Sequence, residues 1–320
     1  MKLKEKLEIH YRAFDKSQIS PDPLELLHVF DSDLNKEAFG LISSIFAYGN
    51  IKQIIKSQEK ILIATYNNPY NFILNLSHND EIKLKMITHR FYTGDDTVWL
   101  FRNMRNIYNE YGSIRKYFLR FYNEVDKNLK NAIEGFSRSL IGDHDRENTL
   151  THGMKFMFPL PSSGSACKRM NLFLRWMIRK DELDFGIWKE ISTSKLIIPV
   201  DTHIARICKE LKLTRLKNVS WKMAEEITDN LRKFDTDDPV IYDFAICHIG
   251  MTALAAEDEI EIPVQINGKL RSRVVVAATA TDEQVKQAAL ADDRVRATIA
   301  GKQIVKTIVV PKKLVNIVVR

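Results

Sequence analysis

The composition of the chain changes abruptly near residue 251, and this change constrains the fold more than any other feature. All 16 Phe, 10 Tyr and 4 Trp residues precede residue 252, and so do all the His and Cys residues. The residues before this point are rich in Lys, Asn, Ile and Tyr, whereas those after it are rich in Ala and Val. Such a difference predicts two separately folded domains, at 1–251 and 259–320, joined by a linker at 252–258.

The first domain is expected to be all-α, with roughly ten helices. Residues 36–48 show the pattern most clearly, because Ala38, Phe39, Leu41, Ile42, Ile45 and Phe46 form one wide apolar stripe. Similar amphipathic patterns predict further helices at 3–14, 51–66 and 97–111, one or two more within 113–140, and others from Trp221 onward and from Asp238–Pro239 to Gly250. No stretch before residue 251 alternates as a β-strand does.

The last part of the chain is expected to be a small α+β domain. Residues 259–267 alternate between apolar and polar side chains, and Asn267–Gly268 is a typical hairpin turn before a returning strand at 270–277. Thr281 and Gln284 form a capping box for a short helix, and a second helix is expected at about 292–300. Two more strands are expected at 303–310 and 314–319.

Charge and cysteine content narrow the classes of function. The net charge is +7, but residues 1–251 carry 37 Lys and Arg against 33 Asp and Glu, so binding to an anionic partner must depend on local clusters. The three cysteines are too widely spaced for a zinc or iron–sulfur site, and we expect neither metal nor cofactor.

The chain begins without a signal peptide and has no apolar run of about 20 residues, so we expect a cytoplasmic protein outside the membrane.

The stretch from Leu160 to Leu211 carries the residues of chemical interest. Its first segment, LPSSGSACKRMNLFLRWMIRK, places a serine- and glycine-rich turn before a basic amphipathic helix that carries Lys168. Free backbone N–H groups at such a turn can hold a phosphate, and basic side chains add to this. The candidate nucleic-acid contacts are Ser163, Gly164, Ser165, Arg169 and Arg175. The alternative is a core helix with a serine cap and a solvated basic face.

The second segment, IPVDTHIARICKEL, places Asp201 at the start of another helix. An aspartate there is the commonest of helix caps, and the same carboxylate can stabilise positive charge on a sugar ring. His203 is a further candidate contact, with packing or capping as its alternative. Cys167, beside Lys168 near a helix start, has either a lowered thiol pKa or the role of an inert small residue.

Both segments resemble the hallmark segments of the helix-hairpin-helix/GPD DNA glycosylases, the endonuclease III class. PDPLELL, AYGN, SGSACKR, FLRWMIRKD, IIPVDTH and DDPVIYDFA resemble an uncharacterised bacterial branch of that superfamily. The resemblance implies a helix-hairpin-helix fold, with Lys168 as the Schiff-base lysine and Asp201 as the essential aspartate. It also implies a pocket for a flipped base, for which Tyr48, Phe158 and Trp188 are candidate stacking residues. Core packing is the alternative role for each of these three rings.

Three features depart from that family's pattern. The hairpin has Ser-Gly-Ser where the family has Gly-hydrophobic-Gly, and Lys168 and Asp201 are unusually far apart in the chain. The cysteines that bind a cluster after the last helix of endonuclease III are absent from this sequence.

The tail resembles the C-terminal tRNA-binding domain of bacterial leucyl-tRNA synthetases. The segments EIEIPVQINGKLR, ATDEQVKQAAL, IVKTIVVP and KLVNIVV carry this resemblance. It implies a partner of the tRNA type, contacted by basic residues that include Lys269, Arg271 and Arg273. A solvated basic face is the alternative reading of these residues.

Together these features predict a base-excision glycosylase, with or without AP lyase activity, that acts on damaged DNA and carries an RNA-binding module. Two alternatives stay open. One is a non-catalytic nucleic-acid-binding protein with a glycosylase-like fold. The other is an artificial or accidental fusion that carries a leucyl-tRNA synthetase fragment. We expect a monomer.

Overall fold

The structure is a computed structural model that describes residues 2–13, 19–146, 149–247, 259–277, 280–310 and 313–320. It divides into two compact units, unit 1 (Met1–Ile246) and unit 2 (Cys247–Arg320). The expected linker at 252–258 and the expected helix end at Gly250 lie outside the described residues. The domain limits at 251 and 259 therefore stay a prediction.

The described part of unit 1 is built from helices. They are α1 (Leu3–Ala13), α2 (Asp33–Phe46), α3 (Ile51–Ala64), α4 (Pro69–Leu74), α5 (His78–Lys85), α6 (Gly94–Tyr111), α7 (Ile114–Leu119), α8 (Lys130–Arg146), α9 (His152–Met157), α10 (Lys168–Ile178), α11 (Thr202–Glu210) and α12 (Trp221–Arg232). A 3-10 helix of seven residues lies at Pro23–Val29, and single turns of 3-10 helix lie at Pro161–Ser163 and Thr193–Lys195. The only β pairing described in this unit consists of two isolated bridges, His89 to Tyr92 and Lys180 to Phe185.

Helix α2 lies at the centre of unit 1, and every residue from Glu37 to Phe46 is buried. Gly40 allows α10 to approach α2 closely, because a Cβ at this position would lie 3.0 Å from the Met177 Cε. The sequence predicted one apolar stripe on α2, but the core surrounds this part of the helix on all sides. Helix α10 packs directly against α2. This contact holds α10, whose first residue is Lys168, against α2.

The stretch 113–140, expected to form one or two helices, contains α7 and most of α8, which are separated by turns. The structure differs from the sequence-based expectation at the helix expected to start at Asp238–Pro239. Asp238–Pro239 forms a turn, and helical residues begin only at Asp243. The Asp238 carboxylate accepts a hydrogen bond from Arg179 Nε at 2.6 Å.

Unit 2 contains a four-stranded mixed sheet and two helices. The strands are β1 (Glu259–Ile266), β2 (Lys269–Ala277), β3 (Ile304–Val310) and β4 (Leu314–Val319), in the order β2-β1-β4-β3. Strands β1 and β2 are antiparallel, β1 and β4 are parallel, and β3 and β4 are antiparallel. Helices α13 (Asp282–Ala291) and α14 (Asp293–Ile299) follow β2, and α13 starts with the predicted Thr281–Gln284 capping box.

The side chains of β1 and β4 alternate as predicted. Ile262, Val264, Ile266, Val315 and Ile317 form the core of unit 2 together with Val285, Ala289 and Val295 from the helices. The expected class, a mainly helical chain with a small α+β region at its C-terminal end, is confirmed. No helix in the described residues is long and apolar enough to cross a membrane.

Candidate functional site

Lys168 is the first residue of α10, and the turn before it fixes its position. The chain passes through the 3-10 turn Pro161–Ser163 to Gly164, which is left-handed with φ 85°. Cys167 is also left-handed, with φ 47°, and provides no side-chain cap for α10. The Trp221 N–H donates to the Gly164 carbonyl oxygen at 3.1 Å and so ties this turn to the start of α12.

Asp201 is the N-cap of α11, and its two carboxylate oxygens have different partners. Oδ1 accepts a hydrogen bond from the Ile204 N–H at 2.9 Å, as a capping aspartate does. Oδ2 accepts from Lys168 Nζ at 2.6 Å. The two side chains are 35% and 36% exposed, so the pair is open to solvent on one side. The structure thus brings together two residues that lie 33 positions apart in the chain.

The pKa of the Asp201 carboxyl is lowered from its ordinary value. Burial raises it, but the Lys168 ammonium and the hydrogen bonds from Lys168 and Ile204 together lower it by more. Asp201 is therefore ionised at neutral pH. A carboxylate in direct contact with an ammonium group can accept a proton from it and can stabilise a nearby cation.

The Lys168–Asp201 pair lies on the wall of a cavity of about 590 Å³. Unit 1 supplies its lining from the end of α2, from α9, from the turn before α10 and from the start of α11. The lining residues are Ala47, Tyr48, Gly49, Ile54, Lys155, Phe156, Pro159, Ser165, Ala166, Cys167, Lys168, Arg169, Val200, Asp201, Thr202 and Val219. This volume lies within the range typical of small-ligand sites.

Two aromatic rings, Tyr48 and Phe156, form one side of this cavity with their centroids 4.7 Å apart. The Tyr48 hydroxyl donates to the His89 carbonyl oxygen at 2.8 Å and accepts from the Phe91 N–H at 3.1 Å. Tyr48 is therefore held in place beside the Lys168–Asp201 pair, where a planar ligand can reach its ring.

Phe158 and Trp188 do not line this cavity. Phe158 is 1% exposed and packs against Trp99 and Phe136. Trp188 is also 1% exposed, and its indole N–H donates to the buried Glu37 carboxylate at 3.0 Å. Both residues belong to the core, which was the alternative role considered for them.

The solvated basic face that was the alternative reading of α10 does not include Arg175 or Arg179, which are 2% and 4% exposed. Arg175 donates to Asp184 at 3.0 Å and also contacts Asp243. Arg179 bonds Asp238, Asp181 and Asp184. These cations lie inside unit 1 because buried carboxylates from other segments neutralise them. Arg175 is not placed to contact a nucleic-acid backbone.

Arg169 is also buried, at 6% exposed, but it lies at the cavity. Its guanidinium bonds the Tyr92 hydroxyl and the Phe156 carbonyl oxygen. It also lies 4.0 Å from the centroid of the Phe156 ring and 5.3 Å from that of Tyr48. Arg169 therefore fixes the aromatic side of the cavity by a cation–π contact and contributes positive charge there.

The turn residues are only partly available to a ligand. The Ser163 and Gly164 N–H groups donate to the Leu160 and Pro161 carbonyl oxygens, at 3.1 and 3.0 Å. The Ser162 N–H donates to Glu134 at 2.9 Å, so a carboxylate already occupies this end of the turn. Ser165 lines the cavity, and its hydroxyl oxygen accepts from the Cys167 N–H at 3.1 Å.

The environments of His203 and Cys167 are now defined. His203 is half-buried on α11, near enough to Asp201 to lower the pKa of that carboxyl. Cys167 is 1% exposed, and burial raises its thiol pKa to about 12. The reading of Cys167 as a lowered-pKa thiol is wrong because desolvation dominates at this position.

No group of three or more His, Cys, Asp or Glu residues in the described ranges is arranged to hold a metal ion.

The basic residues proposed in unit 2 lie on β2. Lys269, Arg271 and Arg273 are exposed, and they share the strand with the buried Ser272, Val274 and Val276. Arg273 is paired with Glu261 at 2.8 Å. The alternation places Arg271 and Arg273 on the face of the sheet that the core of unit 2 does not use.

The sequence analysis missed three residues of the cavity region: Arg90, Lys155 and Phe156. Lys155 and Phe156 line the cavity, and Arg90 lies over the Tyr48 ring at 5.4 Å. Their only sequence signal was proximity, because Lys155 and Phe156 precede the LPSSGS segment by a few residues. Nothing in the sequence connects Arg90 with the LPSSGS segment.

Comparison with protein families identifies the family of this chain. The family model described as "Protein of unknown function (DUF2400)" matches residues 22–252. The match covers most of the chain, so the chain belongs to this family. It includes Lys168, Asp201 and every residue that lines the cavity.

The chain is also similar to curated leucine–tRNA ligases. The protein of Corynebacterium glutamicum (strain R) is 58% identical over 64 residues, which are 20% of this chain and 7% of that protein. The protein of Petrotoga mobilis is 29% identical over 225 residues, which are 69% of this chain and 24% of that protein. The chain therefore matches only a small part of the length of these relatives.

Among solved structures, the chain matches the ternary complex of Agrobacterium radiobacter K84 LeuRS with tRNA and LeuAMS. The match has a TM-score of 0.20 and 21% sequence identity, and it covers 31% of this chain and 14% of that chain.

Proposed function

We propose that unit 1 is a base-excision enzyme of the helix-hairpin-helix glycosylase type, which acts on damaged DNA through Lys168 and Asp201. The observation that carries this proposal is the 2.6 Å contact between Lys168 Nζ and Asp201 Oδ2 on the wall of the cavity. An enzyme that acts on a base must take it out of the stack into a pocket. The cavity has the volume for one nucleotide, and Tyr48 offers a ring on which a base can stack.

The pair can perform the chemistry in a defined sequence. The bond between C1′ and the base breaks, its electron pair leaves with the base, and the Asp201 carboxylate stabilises the positive charge that develops on the sugar. Asp201 then accepts a proton from the Lys168 ammonium, and the free amine forms a bond to the sugar C1′. The second proton of the attached amine passes to the released base. Transfer of the proton from Asp201 to the ring oxygen opens the sugar ring and gives a Schiff base on Lys168, from which β-elimination cleaves the strand.

Borohydride trapping on a panel of damaged and abasic duplexes tests this proposal. We expect the protein to form a covalent adduct and Lys168→Arg to form none. Arginine keeps the positive charge next to Asp201 but cannot form a Schiff base. An adduct that persists in Lys168→Arg would place the reactive amine elsewhere. Base release without an adduct, if lost in Asp201→Asn, would show a glycosylase without lyase activity.

One observation departs from the glycosylase pattern, and the alternative of a binding protein without catalysis accounts for that departure. The Ser162 N–H and hydroxyl both donate to Glu134, and the next two N–H groups of the turn bond within the turn. This turn therefore offers fewer free N–H groups than a phosphate-binding hairpin requires. Tight DNA binding combined with neither base release nor adduct would establish this alternative.

For unit 2 we propose binding to RNA of the tRNA type. The exposed cations of β2 and the similarity of the chain to leucine–tRNA ligases support this proposal. Replacing Arg271 and Arg273 by alanine should weaken RNA binding and lower the slope of log affinity against log salt by about 1–2. An unchanged slope would leave these arginines without a role in RNA binding. The fusion alternative predicts that activity on DNA is the same with and without bound RNA.

A further inference from the structure

A two-residue turn lies beside the candidate cavity. His89 and Tyr92 exchange both backbone hydrogen bonds, at 3.1 and 2.9 Å, so Arg90 and Phe91 form the tip of the turn. Arg90 is left-handed, with φ 53°, and packs on Gly49, where a Cβ would lie 2.6 Å from the Arg90 guanidinium. Because Gly49 lines the cavity, this contact places the tip at the rim of the cavity.

The Phe91 ring is fixed and yet about half exposed, at 48%. It stacks on Tyr48 with centroids 6.1 Å apart and an interplanar angle of 16°. It also makes edge contacts with Phe156 at 5.4 Å and His152 at 5.2 Å. A single exposed apolar side chain is ordinary on a protein surface. Phe91, however, extends the aromatic side of the cavity outward, because Tyr48 and Phe156 contact the Phe91 ring and also line the cavity.

Two cations flank this aromatic surface. The Arg90 guanidinium lies 5.6 Å from the centroid of Phe91, and Lys155 lines the cavity beside Phe156. No carboxylate in the described part of the chain forms an ion pair with either cation, whereas Lys168 is paired with Asp201. The rim therefore combines aromatic planes with uncompensated positive charge. Surfaces that bind single-stranded nucleic acids combine these same two features.

We propose that Phe91, His152 and Arg90 form a stacking surface for the unpaired base next to the nucleotide in the cavity. The substrate would then be a strand that is single-stranded, or locally unpaired, around its target. This inference rests on the proposed function, because the cavity is taken as the site of the target nucleotide. The ring of Phe91 is already held by its neighbours, so stacking on it costs little conformational entropy.

Binding of fluorescent oligonucleotides to the 320-residue chain at one fixed salt concentration tests the proposal. Three DNA probes of roughly 12 nucleotides, a length within known site sizes, would be compared. They are a single strand, a strand of abasic sites with the same number of phosphates, and a paired duplex. We expect Phe91→Ala to weaken binding to the single strand about 10-fold, with changes under about 2-fold for the other two probes. Phe91→Trp should retain the affinity.

A matched control is Tyr66→Ala, because Tyr66 is a 67% exposed aromatic residue that does not line the cavity. This variant should bind all three probes as the parent protein does. The series is repeated in a protein that also carries Arg271→Ala and Arg273→Ala. Binding of the probes by unit 2 then cannot hide a loss of single-strand binding at Phe91. Equal losses on the single and abasic strands, or no loss on either, would overturn the proposal. A loss confined to the duplex would also overturn it and would indicate insertion between paired bases.

The two proposals fail in different ways. If Phe91→Ala binds single strands normally while Lys168→Arg abolishes the covalent adduct, the stacking surface is wrong and the excision chemistry stands. If the protein gives neither base release nor an adduct with any probe, but Phe91→Ala loses single-strand binding as expected, the surface stands and unit 1 is a binding protein.

Discussion

Asp201 uses its two carboxylate oxygens for two different tasks. One caps α11 through the Ile204 N–H, and the other contacts Lys168. The folded-state pKa of Asp201 lies below the ordinary 3.8. The resulting stabilisation is therefore present above pH 3.8 and is lost as the pH falls through the lower folded pKa. Structural and chemical roles at this residue can be separated because an amide can cap a helix but cannot accept a proton from an ammonium group.

We predict that Asp201→Ala lowers the free energy of unfolding by about 1 kcal/mol, because the cap is lost. Asp201→Asn should cost less, since asparagine is as good a cap, yet both variants should lose base release. Urea unfolding followed by tryptophan fluorescence measures the stability of unit 1, because all four Trp residues precede residue 252. An Asp201→Asn variant that keeps full activity would show that the carboxylate is only a cap.

At the scale of elements, buried ion pairs hold α10 in place. Arg175 and Arg179 extend from this helix to carboxylates in the loop that follows it and in the segment after α12. Burial lowers the pKa of Arg175, but the Asp184 and Asp243 carboxylates raise it by more, so the cation persists in the core. The helix that carries Lys168 is thus fixed by polar contacts on the side away from solvent.

We predict that Arg175→Met lowers the free energy of unfolding by about 3–5 kcal/mol, because the buried Asp243 loses its contact with a cation and Asp184 keeps only Arg179. Arg215→Met, at an exposed arginine, should change it by less than about 0.5 kcal/mol. Urea unfolding measures both variants. A loss near 0.5 kcal/mol for Arg175→Met would mean that this side chain is exposed in solution.

The turn at the cavity rim depends on the buried His89. Its Nε2 lies 3.0 Å from the Tyr48 carbonyl oxygen, and its Nδ1 lies 2.9 Å from the Ser57 hydroxyl. A carbonyl can only accept, so Nε2 carries the proton and Nδ1 accepts from Ser57. Burial lowers the pKa of His89, opposed by its hydrogen bond to Tyr48, and the nearby Arg90 and Arg169 lower it further.

A lowered histidine pKa makes the stability of unit 1 sensitive to acid. In the unfolded chain His89 binds a proton near pH 6.5, whereas in the folded protein it binds a proton only at a lower pH. The free energy of unfolding therefore falls as the pH drops below 6.5. We predict that His89→Gln flattens this part of the pH profile and costs about 1 kcal/mol at pH 7.5 for the altered buried hydrogen bonds. Urea unfolding between pH 5 and pH 7.5 provides the comparison. Identical profiles would rule out His89 as the titrating group.

At the scale of the whole molecule, each unit has its own apolar core. The core of unit 2 consists of buried Val, Ile and Ala side chains from strands β1, β2 and β4 and from two helices. The core of unit 1 is rich in aromatic rings, among them the fully buried Trp176, Trp188 and Trp221. Separate cores predict separate responses to core mutations.

We predict that Ile317→Ala lowers the stability of unit 2 by about 3 kcal/mol, because Ile317 is 0% exposed and its removal leaves a cavity. Hydrogen exchange of residues 259–320 should accelerate, while the tryptophan-monitored unfolding of unit 1 stays unchanged. A parallel shift of the tryptophan transition would show that the two units unfold as one and would count against the fusion alternative.

Much of the local structure could be read from the sequence because its determinants are close together in the chain. The strands of unit 2 follow from alternation over a few residues, and α13 begins at a capping box of four residues. Asp201 as a helix cap is equally local. The helix-hairpin-helix fold stays a prediction, since it depends on how the helices of unit 1 are arranged together.

The sequence by itself determined the helical class of the first part, the strands of the tail, and the helix starts at Lys168 and Asp201. Only the tertiary structure decided which charges face solvent, because the carboxylates that neutralise Arg175 and Arg179 come from other segments. It also decided that Phe91 and Lys155 lie with Tyr48 at the cavity whereas Trp188 is in the core. Periodicity specifies a buried face, but contacts between distant segments decide which buried or exposed residues meet.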